Sequence, residues 1–231
     1  MNATDLVLEI GAGGGRITDA LANTGARVIA VELDAGDADV LRRRFRADPR
    51  IEIVEDDVLQ VPLPEAPFRA FGNVPFGLTT AMLRRLLDDP TSALQRADLV
   101  VQYEAARKRA AHRPSNLVSL GWQPWWELRV ARHLPAPAFE PAPSVDAGLL
   151  SIERRRRPLL PASDRSDFVQ LLRAGFRRSG LPLYRSLRGH LPARAWNRMA
   201  RERGLPTGAT ARDLDVFDWV ALYSLVLRSD P

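Results

Sequence analysis

The sequence predicts an α/β fold: a mostly parallel sheet covered by helices on both faces, followed by a smaller all-α unit. Three observations carry this. Short apolar runs alternate with helical spacings through about the first 130 residues, the pattern of successive βαβ units. The first run ends in a glycine cluster, Gly11-Ala12-Gly13-Gly14-Gly15, as a strand-to-helix turn at a ligand site does. Beyond residue 154 the strand-like runs stop and helical spacings alone continue.

The elements follow in order. Residues 6–10 (LVLEI) form a short apolar run ending in Gly11, a buried parallel strand. Ile17, Ala20 and Leu21 give residues 16–23 a helical spacing, 27–31 is a second strand, and 35–47 is a charged helix ending before Pro49. Strands follow at 51–54, 67–71 and 99–103, with helices at 80–87, 104–111 and 117–126. Residues 128–133 and 147–153 alternate like strands with no helix between them, which predicts an antiparallel pair at one edge. The proline-rich segment LPAPAFEPAPSVD joins them and must be extended. Residues 154–164 (RRRRPLLPASD) are a linker, and helices are expected at 166–178, 192–204 and 210–227. The second of these has Pro192 at its start and Gly204 at its end; the third starts from a Thr210/Asp213 capping-box variant. The domains are therefore 1–156 and 157–231.

With 231 residues, 45% hydrophobic and 26% charged, the chain is globular and long enough for a full core and a smaller second one. It has no apolar run long enough to cross a bilayer and no basic, cleavable leader pattern, so a cytoplasmic protein with no membrane partner is expected. There is no cysteine, and His112, His133 and His190 are scattered without ligand spacing, so no metal site is expected. Charge is uneven. Residues 1–100 hold 11 Lys/Arg and 16 Asp/Glu, whereas residues 154–212 hold 15 Arg against Asp164, Asp167 and Glu202. A basic lobe on a mildly acidic one is the footprint of a polyanion binder. Codon bias accounts for Arg in place of Lys (Lys108 is the single lysine) but not for where the excess falls. The candidate phosphate-binding residues are Arg107, Lys108, Arg109, Arg154, Arg155, Arg156, Arg157, Arg177 and Arg178. Trp122, Trp125 and Trp126 are better read as packing than as base-stacking residues.

Acids and glycines at three successive strand ends define a nucleoside site. Glycines let the first turn tighten and a ligand approach the backbone. Gly11, Gly13 and Gly15 do not fit G-x-G-x-x-G, because Arg16 stands where the last glycine would be. Glu32 ends the second strand about 20 residues on, where an acid holds ribose hydroxyls. Asp56-Asp57 ends the third, where an acid accepts from an exocyclic adenine amine. The order Glu9-Ile10-Gly11-x-Gly-x-Gly, Glu32, Asp57 resembles that of S-adenosylmethionine-dependent methyltransferases; a nicotinamide site would bind its pyrophosphate on the helix N-terminus and has no use for Glu9. The candidate cofactor residues are Glu9, Gly11, Gly13, Gly15, Glu32, Leu33, Asp56, Asp57, Val58 and Asn73.

The fourth strand ends in Asn73-Val74-Pro75-Phe76, outside which a ligand of such a sheet lies. The nitrogen of an adenine or amide is a poor nucleophile because its lone pair is delocalised. Accepting its N–H hydrogens on Asn73 and a nearby carbonyl localises that pair; Pro75 fixes the backbone, and Phe76 gives the base a face to stack on, worth about 1–3 kcal/mol. The base must first leave its stack, at a cost of a few kcal/mol.

The motifs EIGAGGGRIT, VELD, EDDVLQVPLP, GNVPFGLTT, VVQYEAARK and FEPAPSVD resemble those of the erythromycin-resistance ribosomal RNA adenine-N6 methyltransferases, and more distantly of the small-subunit dimethyladenosine transferases. The resemblance runs from about Val7 to Leu150 and more weakly beyond. It implies a Rossmann-like S-adenosylmethionine-dependent methyltransferase sheet with a small C-terminal all-α domain that binds RNA. It also implies methylation of one adenine in the macrolide-binding region of 23S ribosomal RNA, hence antibiotic resistance. Separately from the resemblance, a monomer is expected. It places Gly11, Gly13, Glu32 and Asp57 at the cofactor, and Asn73, Phe76 and Phe139 at the target base. Two departures bear on this. The family's Gln-Asn-Phe element, which precedes the first strand and meets the cofactor's methionine end, has no counterpart in these residues, so weaker cofactor affinity is expected. Ser144 stands where many relatives carry a lysine, which takes away one cation for phosphate. The alternatives are a small-subunit dimethyladenosine transferase, which NVPF and the Trp-rich segment disfavour, a DNA adenine methyltransferase, and a non-catalytic RNA-binding relative.

Overall fold

The computed structural model describes residues 3–113, 116–178 and 180–227. Seven strands form one sheet in the order β3-β2-β1-β4-β5-β7-β6. These are β1 (Leu6–Ile10), β2 (Arg27–Glu32), β3 (Ile51–Glu55), β4 (Phe68–Asn73), β5 (Leu94–Gln102), β6 (Trp126–Leu134) and β7 (Ala147–Arg154). The first five are parallel, and β7 inserts antiparallel beside β5, leaving β6 at the edge. The chain winds outward from β1 in both directions, to β2 on one side and to β4 on the other, which makes the β1/β4 junction the topological switch point.

Helices α1 (Arg16–Ala22), α2 (Ala35–Phe45), α3 (Thr79–Leu87) and α4 (Tyr103–Ala110) follow their strands as the alternation predicts. Val7, Val28 and Ala30 on the sheet pack with Leu21 and Leu41 of the first two helices. No helix links β3 to β4; residues 56–67 cross as a loop. β5 begins five residues earlier than expected: Ala97 continues the buried alternation of Leu99 and Val101, which Arg96 and Asp98 mask in the sequence, and a register shift beside Phe68 carries the strand back to buried Leu94.

The chain divides into two compact units, residues 1–107 with 128–154, and residues 108–127 with 155–231. The sequence placed one boundary, after Arg156; the structure instead assigns residues 108–127 to the helical unit. The reason is packing: α5 (Leu117–Trp122) contacts α6 (Arg165–Phe176). Trp122, Trp125 and Trp126 are buried in this unit. Trp125 meets Phe168 edge-on at 6.4 Å, Phe168 meets Tyr223 at 5.7 Å, and the Trp125 indole donates to the Leu160 carbonyl at 2.9 Å.

The helical unit also contains α7 (Leu183–Ser186), α8 (Ala193–Glu202) and α9 (Val216–Leu227). The short α7 was not anticipated, and α9 starts six residues later than the sequence suggested. Thr210 does bond to Asp213, through its N–H at 2.7 Å and hydroxyl at 2.8 Å, but this closes an isolated turn. The helix starts from a second reciprocal pair: Asp218 N–H donates to Asp215 at 2.8 Å and Asp215 N–H to Asp218 at 3.1 Å. Among the described residues no helix is long and apolar enough to cross a membrane.

Candidate active site

The parallel register aligns the strand ends on one edge. Ile10 sits beside Val31 and Gly72, Glu32 beside Glu55, and Asn73 beside Val100. Asp56-Asp57, Glu32, the glycine turn and Asn73 therefore follow one another along four neighbouring strands. At about 4.8 Å per strand the row spans roughly 15 Å, the scale of a nucleoside with its side chain.

The glycine turn has a built geometry. Gly11, Gly13 and Gly15 all take positive φ (68°, 50° and 78°), which L-residues rarely adopt. A Cβ on Gly11 would lie 3.7 Å from the Asn73 carbonyl oxygen, so the turn and the tetrad abut; one on Gly13 would meet open space. The Glu32 carboxylate locks this turn to the start of α2. One oxygen accepts the Gly13 N–H at 2.7 Å and the other accepts those of Leu33 and Asp34 at 2.8 and 2.9 Å. A carboxylate has about four lone-pair sites, so acceptor capacity is left over. Leu33 beside it is 71% exposed, an apolar side chain facing water at the edge. Asp57 accepts the Leu59 N–H at 2.9 Å with one oxygen, which fixes the turn that carries Val58. Asp56 caps the Asp57 N–H at 2.7 Å.

Glu9 is placed differently. Its side chain is fully buried beside Thr18, and neither carboxyl oxygen closes a hydrogen bond although Thr18 lies near enough to bias it. Burial pushes its pKa up to about 7, with the Asp19 and Glu32 charges acting in the same direction. It underlies the turn that the other acids face.

A separate concavity of about 290 Å³ opens at the end of β4. Asn73, Val74, Pro75 and Phe76 line one side, and Phe139, Pro141, Pro143 and Ala147 the other. Phe139, assigned only by resemblance, is thus brought to the tetrad although 63 residues separate it from Phe76. Pro75 and Phe76 start a tight turn in which the Pro75 carbonyl accepts Leu78 N–H (2.8 Å) and the Phe76 carbonyl the Thr79 hydroxyl (3.0 Å). Both carbonyls are thereby occupied within the turn. Sequence reasoning missed His133 and Asp146, whose side chains meet at 2.8 Å at the base of the Phe139 loop. The signal was available: His133 immediately precedes the proline-rich segment, and Asp146 is its last residue, just before β7.

The arginines separate into two groups. Arg154 donates to the carbonyls of Leu94, Pro90 and Ser92 at 2.8, 2.6 and 2.5 Å. Arg155 donates to the Gln123 carbonyl and pairs with Glu127, at 2.8 and 2.7 Å. Burial lowers the pKa of both. Arg109 binds Asn116 at 3.0 Å and lies over the Trp122 ring. These three hold the fold, a correction to their expected place at phosphate; in a run of four arginines the sequence cannot show which ones turn inward. Arg107 is exposed but pairs with Glu104 at 3.2 Å. Lys108, Arg156, Arg157, Arg177 and Arg178 are exposed.

A parallel sheet with a glycine turn at its switch point, acids at the next two strand ends and an Asn-Val-Pro-Phe pocket beside them has the architecture of a nucleoside-dependent methyltransferase. The chain matches the ribosomal RNA adenine dimethylase family over residues 1–226. It is 38% identical over 221 residues to an rRNA methyltransferase of Streptomyces thermotolerans, covering 95% of this chain and 73% of the relative. It is 37% identical over 219 residues to the mycinamicin-resistance protein MyrB of Micromonospora griseorubida, covering 95% and 69%. The crystal structure of the 23S rRNA methyltransferase ErmE superposes with a TM-score of 0.88 at 28% identity, covering 98% of this chain and 92% of that one. The chain belongs to the ribosomal RNA adenine dimethylase family, and its enzymatic class is rRNA adenine-N6 methyltransferase.

Proposed function

We propose that this protein methylates N6 of one adenine in 23S ribosomal RNA, with S-adenosylmethionine as donor, and so confers resistance to macrolide-type antibiotics. It acts as a monomer in the cytoplasm. The observation that carries the reading is the meeting of the two halves of the site: the glycine turn abuts the Asn73 carbonyl at the switch point, beside a pocket walled by two phenylalanines. The names of the relatives, one an antibiotic-resistance protein and one a 23S rRNA methyltransferase, support the choice of RNA.

The residues present fit the cofactor. Gly13 leaves open space over the turn, Glu32 is held with acceptor capacity to spare for ribose hydroxyls, and Leu33 offers an exposed apolar surface for a purine. Val58 adds a second apolar wall, and Asp56-Asp57 accepts the purine amine. Bound there, S-adenosylmethionine supplies an electrophilic methyl group on sulfur. The chain's own task is to make a poor nucleophile available. Phe76 and Phe139 hold the extruded adenine between aromatic faces. The Asn73 side-chain oxygen and the Val74 carbonyl accept the two N6 hydrogens, which localises the nitrogen lone pair towards the glycine turn. Phe76 has no hydroxyl, so its part is stacking; proton loss follows transfer and goes to water. The exposed Lys108, Arg156, Arg157, Arg177 and Arg178 bind phosphate.

Asn73→Ala tests the assignment. Losing an acceptor that acts on the reacting nitrogen should lower methyl transfer to 23S RNA by at least about 100-fold, with S-adenosylmethionine binding by calorimetry nearly intact. Retained turnover would refute the role of Asn73, and absence of cofactor binding by the wild-type chain would refute the choice of donor.

A further inference from the structure

We infer that Asp146 is a positioning residue: by bridging the end of β6, the start of the Phe139 loop and α4, it sets Phe139 over the target adenine. The inference rests on the function proposed above. The segment between β6 and β7 supplies Phe139, Pro141 and Pro143 to the pocket that Asn73–Phe76 closes from the other side. Its prolines lack N–H donors, which leaves the segment few backbone hydrogen bonds of its own; those of Ala138 and Phe139, to the Pro135 and Ala136 carbonyls, close one turn at its start. What fixes it is at its base. One Asp146 oxygen accepts the Ala136 N–H at 2.9 Å, and the other meets His133 Nε2 at 2.8 Å. The Ala136 carbonyl in turn accepts the Phe139 N–H at 3.2 Å. A continuous path of hydrogen bonds thus runs from the Asp146 carboxylate to the backbone of Phe139.

The other end of the bridge is equally anchored. The Asp146 carbonyl accepts the Tyr103 N–H at 2.9 Å, and the Tyr103 ring lies 4.2 Å from the His133 ring, centroid to centroid. Ala147, the next residue, lines the pocket and pairs with Gln102 in the β5/β7 ladder. The Ala136 and His133 hydrogen bonds lower the Asp146 pKa, so the bridge is an ionised carboxylate at neutral pH. A misplacement of about 1 Å in a group that orients the reacting base can cost on the order of 100-fold in rate.

The experiment is a double-mutant cycle on the full chain, reading kcat/KM for methyl transfer to 23S RNA, with S-adenosylmethionine affinity and thermal unfolding followed for each variant. Asp146→Ala should lower kcat/KM by roughly tenfold or more and leave cofactor affinity unchanged. It should add little to Phe139→Ala, because the ring it positions is already gone. Asp146→Asn retains an acceptor for the Ala136 N–H and should recover most of the loss. His133→Ala, which removes a single arm of the bridge, should show a smaller loss of the same non-additive kind, and it stands in should Asp146→Ala fail to fold. Losses from Asp146→Ala and Phe139→Ala that multiply would overturn the inference while leaving the role of Phe139 intact. Full activity of Phe139→Ala would overturn both, and a wild-type chain that transfers no methyl group would remove the function on which they rest.

Discussion

Glu9 carries a carboxyl into a buried site without a closed hydrogen bond, beneath the glycine turn. Desolvation is the largest cause of its raised pKa, from 4.5 to about 7, and Thr18 offsets only part of it. The folded state therefore holds this proton more tightly than the unfolded chain does. Its favourable contribution is complete below pH about 4.5 and is lost as pH rises through about 7. Above that the buried charge costs about 3 kcal/mol. Glu9→Gln removes the titration, so its melting temperature relative to wild type should climb across that interval; parallel curves would show that Glu9 does not titrate there. Glu9, Glu32 and Asp57 were legible as residues because an acid at the end of a buried strand is unusual. That Glu9 faces inward while Glu32 ties down three N–H groups was not legible, since both depend on the conformation of the turn. His133 and Asp146 escaped notice because Asp146 merely closes the FEPAPSVD motif and His133 stands outside it, so nothing in the sequence pairs them.

At the scale of elements, β1 and β4 approach so closely that the site depends on a missing side chain. A Cβ on Gly72 would lie 2.4 Å from the Ile10 carbonyl oxygen and 2.7 Å from its Cβ, and Ile10 is its partner in the parallel register. Backbone cannot move aside as a side-chain tip can, so Gly72→Ala must part the strands that carry Gly11 and Asn73. The expected cost is about 1–3 kcal/mol of stability, with methyl transfer reduced as well; an unchanged thermal unfolding midpoint would contradict this. Strand positions were readable from apolar runs, and helices from their spacing. Their ends were less so. Thr210/Asp213 and Asp215/Asp218 are both capping signals, and the sequence does not rank them; the apolar face of α9, with Trp219, Leu222 and Tyr223 buried, decides for the second. The same limit hid the start of β5, where charged side chains alternate with buried ones.

At the scale of the whole molecule, the basic excess of residues 154–212 survives the removal of Arg154 and Arg155 to structural duty, because Arg156, Arg157, Arg177 and Arg178 are exposed. Replacing those four by Gln should weaken RNA binding at low salt and reduce the slope of log affinity against log salt by slightly under one for each phosphate no longer neutralised; an unaltered slope would place the RNA elsewhere. The two-unit organisation was legible as a change of pattern near residue 154, whereas the return of residues 108–127 to the helical unit was not, since a helix near a boundary carries no mark of which core it joins. The central claim is the reaction itself, and one measurement reaches it most directly: mapping methylated adenines in the ribosomal RNA of cells that make this protein, with macrolide susceptibility scored alongside. The account predicts a single N6-methylated adenine in the macrolide-binding region of 23S RNA, accompanied by resistance and absent with Asn73→Ala. Unmodified 23S RNA alongside new methylation of small-subunit RNA would contradict it.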